Sequence, residues 1–324
     1  MKKPLVALQM LSQSFGGHLQ TDVSLKRYTA ARLGGKADVM VLANTSADLA
    51  NISIKLWELD IPFTILGSGS NVLVSDAGIR QVVVLNRSRK VRFHQHTTPP
   101  TVWAESGVNI GALARRAAIH GLSGLEWAAG IPGTLGGAVY GNAGAHSSDI
   151  SGNLLMAKIL HRMDQNGNDH NSFKREDWPP ECFEFAYRSS HLKRHPGQAV
   201  VLAVNLKLST STPEAVQTKM DEYNLLRRRS QPPGASLGSI FKNPTGDYAG
   251  RLIEAAELKG TAVGDAEISR VHGNFIINHG KATSDDYYAL IRLAQQKVLE
   301  KFGVSLELEI ELLGDWSGRE GQGS

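Results

Sequence analysis

Two glycine-rich stretches hold the residues whose spacing could do chemistry. Residues 130–146 read GIPGTLGGAVYGNAGAH, and no Asp, Glu, Lys or Arg falls between Trp127 and Ser148. Pro132, Thr134, Asn142 and His146 make this a poor membrane span. Ile131, Leu135, Val139 and Tyr140 make it too apolar for a solvated linker. Glycine has no Cβ, so the main chain can approach a ligand closely and adopt φ > 0. With a helix start near Pro132, its N–H groups would suit phosphate oxygens without any cationic side chain. Two readings remain: a nucleotide or dinucleotide cofactor, or close packing of elements.

The second stretch, Gly67-Ser68-Gly69-Ser70-Asn71, follows the apolar run 63–66 and leads directly into Val72-Leu73-Val74. A dinucleotide fingerprint of the Rossmann type needs a third glycine and then a helix. Val72 stands where that glycine would be, and the next element is β. The stretch is therefore a strand–loop–strand anion loop, or merely a turn. No HExxH pattern occurs, and one cysteine cannot form a thiolate cluster, so no metal is expected. Walker A and G-x-S-x-G sequences are also missing.

The elements that must position these loops follow from periodicity and end signals. Residues 1–21 read as a leading helix or arm. Strands are expected at 37–42, 63–66, 72–74, 81–85 and 90–94, with a helix over 47–59. Asn109 caps a helix with Ile110, Leu113, Ala114 and Ala117 on its apolar face, closed by Gly121. Residues 154–160, 183–187 and 199–208 read as β. Thr212-Pro213 starts a helix that ends in Arg227-Arg228-Arg229, a cationic C-terminus or a diphosphate site. A domain boundary is placed there. Ala249, Leu252, Ile253 and Ala256 share a helical face, 275–277 is a buried strand, and Ser284 caps a long helix. Residues 305–312 alternate strictly, which puts Glu307, Glu309 and Glu311 on one face, a solvated edge in the plainest reading. The Gly- and Ser-rich tail 315–324 reads as disordered.

Composition sets outer limits. A chain of 324 residues can bury two or three cores. A net charge of +4 suits anionic small molecules or nucleic acid. Cys182 is the single cysteine, which excludes an intramolecular disulfide and points to a reducing compartment. The short apolar run after Lys2-Lys3 has no convincing cleavage site, so a cytoplasmic protein is expected.

Taken together, Arg32-Leu33-Gly34-Gly35-Lys36-Ala37-Asp38, residues 66–74, Gly130-Ile131-Pro132-Gly133-Thr134 with Asn142-Ala143-Gly144-Ala145, Tyr187-Arg188, residues 238–244 (GSIFKNP) and Leu306-Glu307-Leu308-Glu309 resemble the UDP-N-acetylenolpyruvoylglucosamine reductase family. The likeness spans about residues 25–314 in the family's order, and the short link after Ser189 resembles its shorter-loop subgroup. It implies an α+β chain: a two-lobed FAD-binding domain of the vanillyl-alcohol-oxidase type, then an α+β substrate-binding domain. The corresponding bounds are an arm at 1–21, lobes at 22–85 and 86–211, a substrate domain at 212–314 and a tail at 315–324. Departures occur at Ala30-Ala31, Gln81, Tyr140-Gly141, residues 235–237 and Asp265; none removes a reacting group.

The resemblance further implies non-covalent FAD, NADPH as co-substrate, and UDP-N-acetyl-enolpyruvoylglucosamine as substrate, with no nucleic acid, membrane or obligate protein partner. Gly67, Ser68, Gly69, Ser70, Asn71, Gly130, Pro132, Gly133, Thr134, Gly136, Gly137, Asn142 and Gly144 would hold the FAD. Arg188, Ser239 and Glu309 fall on the catalytic positions. Tyr187, Lys242, Asn243 and His272 are candidates for substrate contact; a buried core histidine is the other reading of His272. Hydride addition to an enolpyruvyl carbon builds enolate charge, which a cation and a carboxylic acid can stabilise while a hydroxyl supplies the proton. Another flavin oxidoreductase of the same fold, an oxidase or dehydrogenase acting on an alcohol, is the alternative enzyme, but it would need a base and no enolate clamp. A basic nucleic-acid-binding protein is the alternative outside enzymes, and it lacks any recognisable binding motif.

Overall fold

Alternation and capping account for most elements. The computed structural model describes residues 11–163 and 172–317. It divides into two units: one holds residues up to Thr21, Val39–Gly67 and Gln81–Asn224, the other Asp22–Asp38, Ser68–Arg80 and the residues from Leu225 on.

The first unit is built on two sheets. Strands β1 (Leu19–Ser24), β2 (Lys36–Ala43), β3 (Phe63–Leu66) and β5 (Ile79–Asn86) form one in the order β1-β2-β5-β3, and the ends of β1, β2 and β5 continue into the second unit. Strand β3 runs parallel to β5, Phe63 opposite Val82 and Leu66 opposite Leu85. The helix Ser46–Glu58 connects β2 to β3. Thr45 and Asp48 close a capping box at its start, and Leu49, Ile52 and Leu56 bury its inner face. The other sheet is antiparallel, in the order Phe173–Trp178, Leu154–Arg162, Ala199–Lys207, β7 (Thr101–Glu105) and β6 (Val91–His94). The helix Ile110–Ile119 starts at Asn109, whose side chain accepts the Ala112 N–H, and packs into the core of this sheet together with Leu135, Ala138 and Val139.

The second unit joins β4 (Val72–Val74) in parallel to the strand Glu311–Leu313. A three-stranded sheet, Ala262–Val263, Ala266–Ile268 and Ile276–Asn278, and the helices Ala249–Ala255 and Ser284–Phe302 complete its core. Trp316 closes this core against Tyr288, with ring centroids 5.0 Å apart.

Several elements differ from the sequence reading. Residues 183–187 are not a strand. A 3₁₀ turn, Pro180–Phe183, buries Phe183 completely, and Glu184 takes φ 44°, which breaks the alternation. Residues 305–312 are not one strand either: Leu308 bridges Phe241, residues 309–310 bend, and only Glu311–Leu313 joins a ladder. The three glutamates therefore do not lie along one strand. The glycine-rich helix starts at Leu135, capped by Thr134, just after Pro132. Thr283, not Ser284, caps the last helix through a box with Asp286. Strands β7 and Phe173–Trp178 escaped the periodicity. Of the leading arm, residues 11–15 are helical and 1–10 lie outside the described residues; so do 318–324 of the tail. No helix among the described residues is long and apolar enough to cross a membrane.

Candidate functional site

Gly67, Gly130, Pro132, Gly133, Thr134, Gly136, Gly137, Asn142, Gly144, Tyr187 and Arg188 belong to the first unit. The turn after β7 positions the start of the glycine-rich helix. Asn86 accepts from the Ser88 N–H and hydroxyl and donates to Ser106 Oγ at 2.9 Å, which fixes this buried turn. Onto it fall the Leu135 N–H, bonded to the Val108 carbonyl at 2.8 Å, and the Gly136 N–H, bonded to the Ser106 carbonyl at 2.7 Å. Gly137 N–H reaches its own cap, Thr134 Oγ1, at 3.4 Å. The first-turn donors of the helix Leu135–Gly141 are thus spent inside the protein, contrary to the expectation that they would face a phosphate.

The glycines of this helix meet different surroundings on different faces. A Cβ on Gly136 would lie 2.9 Å from Ser106 Cβ, so this face packs against the protein. A Cβ on Gly137 would meet only Thr134 Oγ1, and one on Gly141 nothing within 4 Å, so this face is open ground within the unit. Close packing accounts for Gly136 and leaves the neighbouring face of Gly137 and Gly141 open. Gly67 belongs to the same place: a Cβ on it would overlap Thr134 Oγ1. The two glycine-rich stretches, far apart in sequence, meet at that point.

Asn142 ends the helix in the left-handed conformation, φ 46° and ψ 59°, and is only 5% exposed. Its Nδ2 donates to the Ala186 carbonyl at 3.0 Å, while its Oδ1 is buried with no hydrogen-bond partner among the described residues. A buried acceptor of this kind calls for a donor. The orphaned oxygen and the open glycine face together fit a bound planar group with polar edges, as FAD has.

Ala186 and Ser189 exchange two backbone hydrogen bonds of 3.1 Å and close a tight turn around Tyr187 and Arg188. Arg188 sits at φ 54°, a position that disfavours a bulky side chain and is associated with functional sites. Its guanidinium donates to the Gly144 carbonyl at 2.9 Å and lies over the Tyr187 ring at 5.3 Å. Asn142, Gly144 and Arg188 are therefore brought together, with Tyr187 beside them and half exposed.

Ser68, Gly69, Ser70, Asn71, Ser239, Lys242, Asn243, His272 and Glu309 belong to the second unit. Gly69 has φ 59°, and a Cβ there would overlap the Tyr28 carbonyl, so its need for glycine is internal to the fold. Ser239 lies between Gly238, at φ 77°, and buried Ile240. The Ile240 carbonyl accepts the Glu309 N–H at 2.8 Å, so Ser239 and Glu309 sit on adjoining segments. Lys242 pairs with the exposed Glu307 at 3.2 Å. Asn243 Oδ1 accepts the Ala249 N–H at the start of a helix. His272 Nδ1 accepts the Asn274 N–H at 3.1 Å, and burial pushes its pKa below 6.5. His272 is thus partly buried, held by the segment that follows it.

Sequence reasoning missed Asn274. Its buried amide donates to the Phe241 carbonyl at 2.8 Å and accepts the Phe241 N–H at 2.9 Å, holding the segment that carries Ser239. An asparagine within HGNFIIN carries no local sign of such a partner.

Comparison with known proteins agrees with this architecture. Residues 37–163 match the FAD binding domain model, and residues 230–313 match UDP-N-acetylenolpyruvoylglucosamine reductase, C-terminal domain. The UDP-N-acetylenolpyruvoylglucosamine reductase of Chloroflexus aggregans is 39% identical over 298 residues, covering 91% of this chain and 97% of that protein. The enzyme of that name from Caldanaerobacter subterraneus is 40% identical over 300 residues, 92% of this chain and 95% of its own. The crystal structure of UDP-N-acetylenolpyruvylglucosamine reductase from Thermus caldophilus superposes with a TM-score of 0.74 at 35% identity, covering 91% of this chain and 99% of that one. A FAD-binding domain followed by the C-terminal domain, over nearly full length on both sides, makes this chain a member of the UDP-N-acetylenolpyruvoylglucosamine reductase family.

Proposed function

We propose that the protein reduces UDP-N-acetyl-enolpyruvoylglucosamine to UDP-N-acetylmuramate for peptidoglycan synthesis, with NADPH as reductant. FAD, held along the face of Gly137, Asn142 and Gly144, would supply the hydride-transfer chemistry between NADPH and the enolpyruvyl CH₂ carbon. FAD is assigned to residues 22–211 and substrate to residues 212–314. The observation that carries the reading is the Arg188 guanidinium tied to Gly144, at the end of the glycine-rich stretch of the FAD-binding domain.

The chain's own groups then divide the work. Arg188 stabilises the enolate charge as it develops, and Glu309, as a carboxylic acid, adds a hydrogen bond to the same charge. Ser239 donates the proton to the carbon beside the carboxylate. Serine is a weak acid, so positive potential from a cation such as Lys242 would lower the cost of losing that proton. The hydrogen bond that puts Glu309 beside Ile240, one residue after Ser239, supports a shared role. Asn142, with Gly137 and Gly144, lines the cofactor face; Tyr187, Lys242, Asn243 and His272 contact substrate. An alcohol oxidase would have no use for this acid set. NADPH and a UDP-linked sugar are cytoplasmic reactants, and a lone cysteine suits that compartment.

The test is the visible spectrum of the purified holoenzyme. NADPH should bleach the flavin bands, and the enolpyruvyl substrate should restore them with formation of UDP-N-acetylmuramate. Flavin that is bleached but restored only by oxygen would overturn the assignment of substrate.

A further inference from the structure

We infer that Asn71 is a positioning residue for Glu309, an assignment that rests on the acid role proposed for that glutamate. Asn71 Nδ2 donates to the Glu309 carbonyl at 3.0 Å, and the Asn71 carbonyl accepts the Glu311 N–H at 2.9 Å. One residue thus grips the chain on both sides of Ile310, which is itself buried in the core of the second unit. From the other direction the Glu309 N–H is held by the Ile240 carbonyl, and the Ile240 N–H by the Asn274 carbonyl at 2.9 Å.

The clamp matters because residues 309–310 form a bend. A strand residue has its carbonyl held by the ladder, and a shift of one carbonyl is resisted by its neighbours. At the bend the ladder has not yet begun: the pairing with β4 starts at Glu311 opposite Val72. The Asn71 amide takes the place of the missing ladder donor for Glu309. Removing it takes away a part-buried hydrogen bond that holds the bend, and the bend is then free to shift. The Glu309 carboxyl moves with it, and a misplacement of about 1 Å can cost roughly 100-fold in rate. Asparagine suits this task over aspartate, since only the amide can donate to a carbonyl.

This departs from the reading of Asn71 as only a part of the phosphate cradle, and the two make different demands. A cradle residue acts through FAD affinity and on both half-reactions. A positioning residue acts on the half-reaction that uses Glu309, and only while Glu309 is there to be positioned.

The experiment compares holoenzyme of the wild type with Asn71→Ala, Asn71→Asp, Glu309→Gln and the double variant Asn71→Ala/Glu309→Gln. Stopped-flow flavin absorbance follows reduction by NADPH and reoxidation by the enolpyruvyl substrate separately, and FAD content is read from the same spectra. Both Asn71 variants should keep FAD and lose about 10- to 100-fold in reoxidation, far more than in reduction. The double variant should be no slower than Glu309→Gln alone. Loss of FAD in both Asn71 variants, equal slowing of both steps, or losses that multiply in the double variant would overturn the proposal. Normal reoxidation in Asn71→Ala beside a slow Glu309→Gln overturns the role of Asn71 alone. Normal reoxidation in Glu309→Gln overturns the acid role of Glu309, and the clamp with it.

Discussion

Arg188 Nη2 lies 2.9 Å from the carbonyl oxygen of Gly144, and this bond fixes the one cation of a strained turn to the end of the glycine-rich stretch. Lysine would keep the charge but not the planar fork of donors. Arg188→Lys is expected to keep FAD and slow reoxidation by the enolpyruvyl substrate by about 10²-fold, the scale for one lost charge-stabilising donor. Reoxidation at the wild-type rate would remove Arg188 from the enolate.

Gly137 offers a cleaner test of the cofactor face than Gly69. Any side chain on Gly69 collides with the Tyr28 backbone, so a loss of FAD there would follow from a damaged fold. A methyl on Gly137 meets only Thr134 Oγ1, at 3.5 Å. Gly137→Ala should leave the apoprotein as stable as the wild type or up to about 1 kcal/mol more stable, from helix propensity. Its FAD affinity should fall. Unchanged affinity by fluorescence titration would place the cofactor elsewhere.

The three glutamates differ in surroundings and should differ in response. Glu307 is 74% exposed and pairs with Lys242, so Glu307→Gln should alter stability by less than about 0.5 kcal/mol. Glu311→Gln should leave turnover within a few-fold. Glu309→Gln should abolish turnover with FAD still bound. Equal activity in all three would return Glu309 to a structural role.

Ser239→Ala separates the two half-reactions. Reduction of FAD by NADPH asks nothing of this hydroxyl and should run at close to the normal rate. Reoxidation needs a proton at carbon, and general-acid catalysis is worth about 10²–10⁴-fold. Stopped-flow absorbance that shows normal reoxidation in the alanine variant would assign the proton to another group.

His272 ties stability to pH. Burial, aided by the Lys259 charge, holds its pKa below the ordinary 6.5, so the folded ring stays neutral where the unfolded one takes a proton. Its contribution is complete above about pH 6.5 and is lost as pH falls from there through the lower folded pKa. The wild-type Tm should therefore drop more steeply than that of His272→Gln between about pH 7 and 5.5. Parallel curves would mean that the ring is protonated as easily in the fold as in solution.

Local signals decided a good part of this molecule. Strands Phe63–Leu66 and Val72–Val74, the helix from Asn109 and the helix from Thr212 could be read because periodicity and caps act within a few residues. The family likeness, carried by short motifs in fixed order, supplied the FAD-binding domain and its C-terminal partner. Tertiary structure alone decided which motifs meet. Gly67 faces Thr134, and Asn71 reaches Glu309 across 238 positions, because sheet order and core burial bring distant segments together. The same forces overrode local pattern. Residues 305–312 alternate like one strand, yet the segment leaves one partner, Phe241, for another, β4, and must bend at Glu309 between them. Residues 183–187 read as β, yet burial of Phe183 and the left-handed Glu184 turn the chain so that Arg188 ends against Gly144. Periodicity reports which side of a segment is apolar; the partner across the ladder sets where the backbone goes.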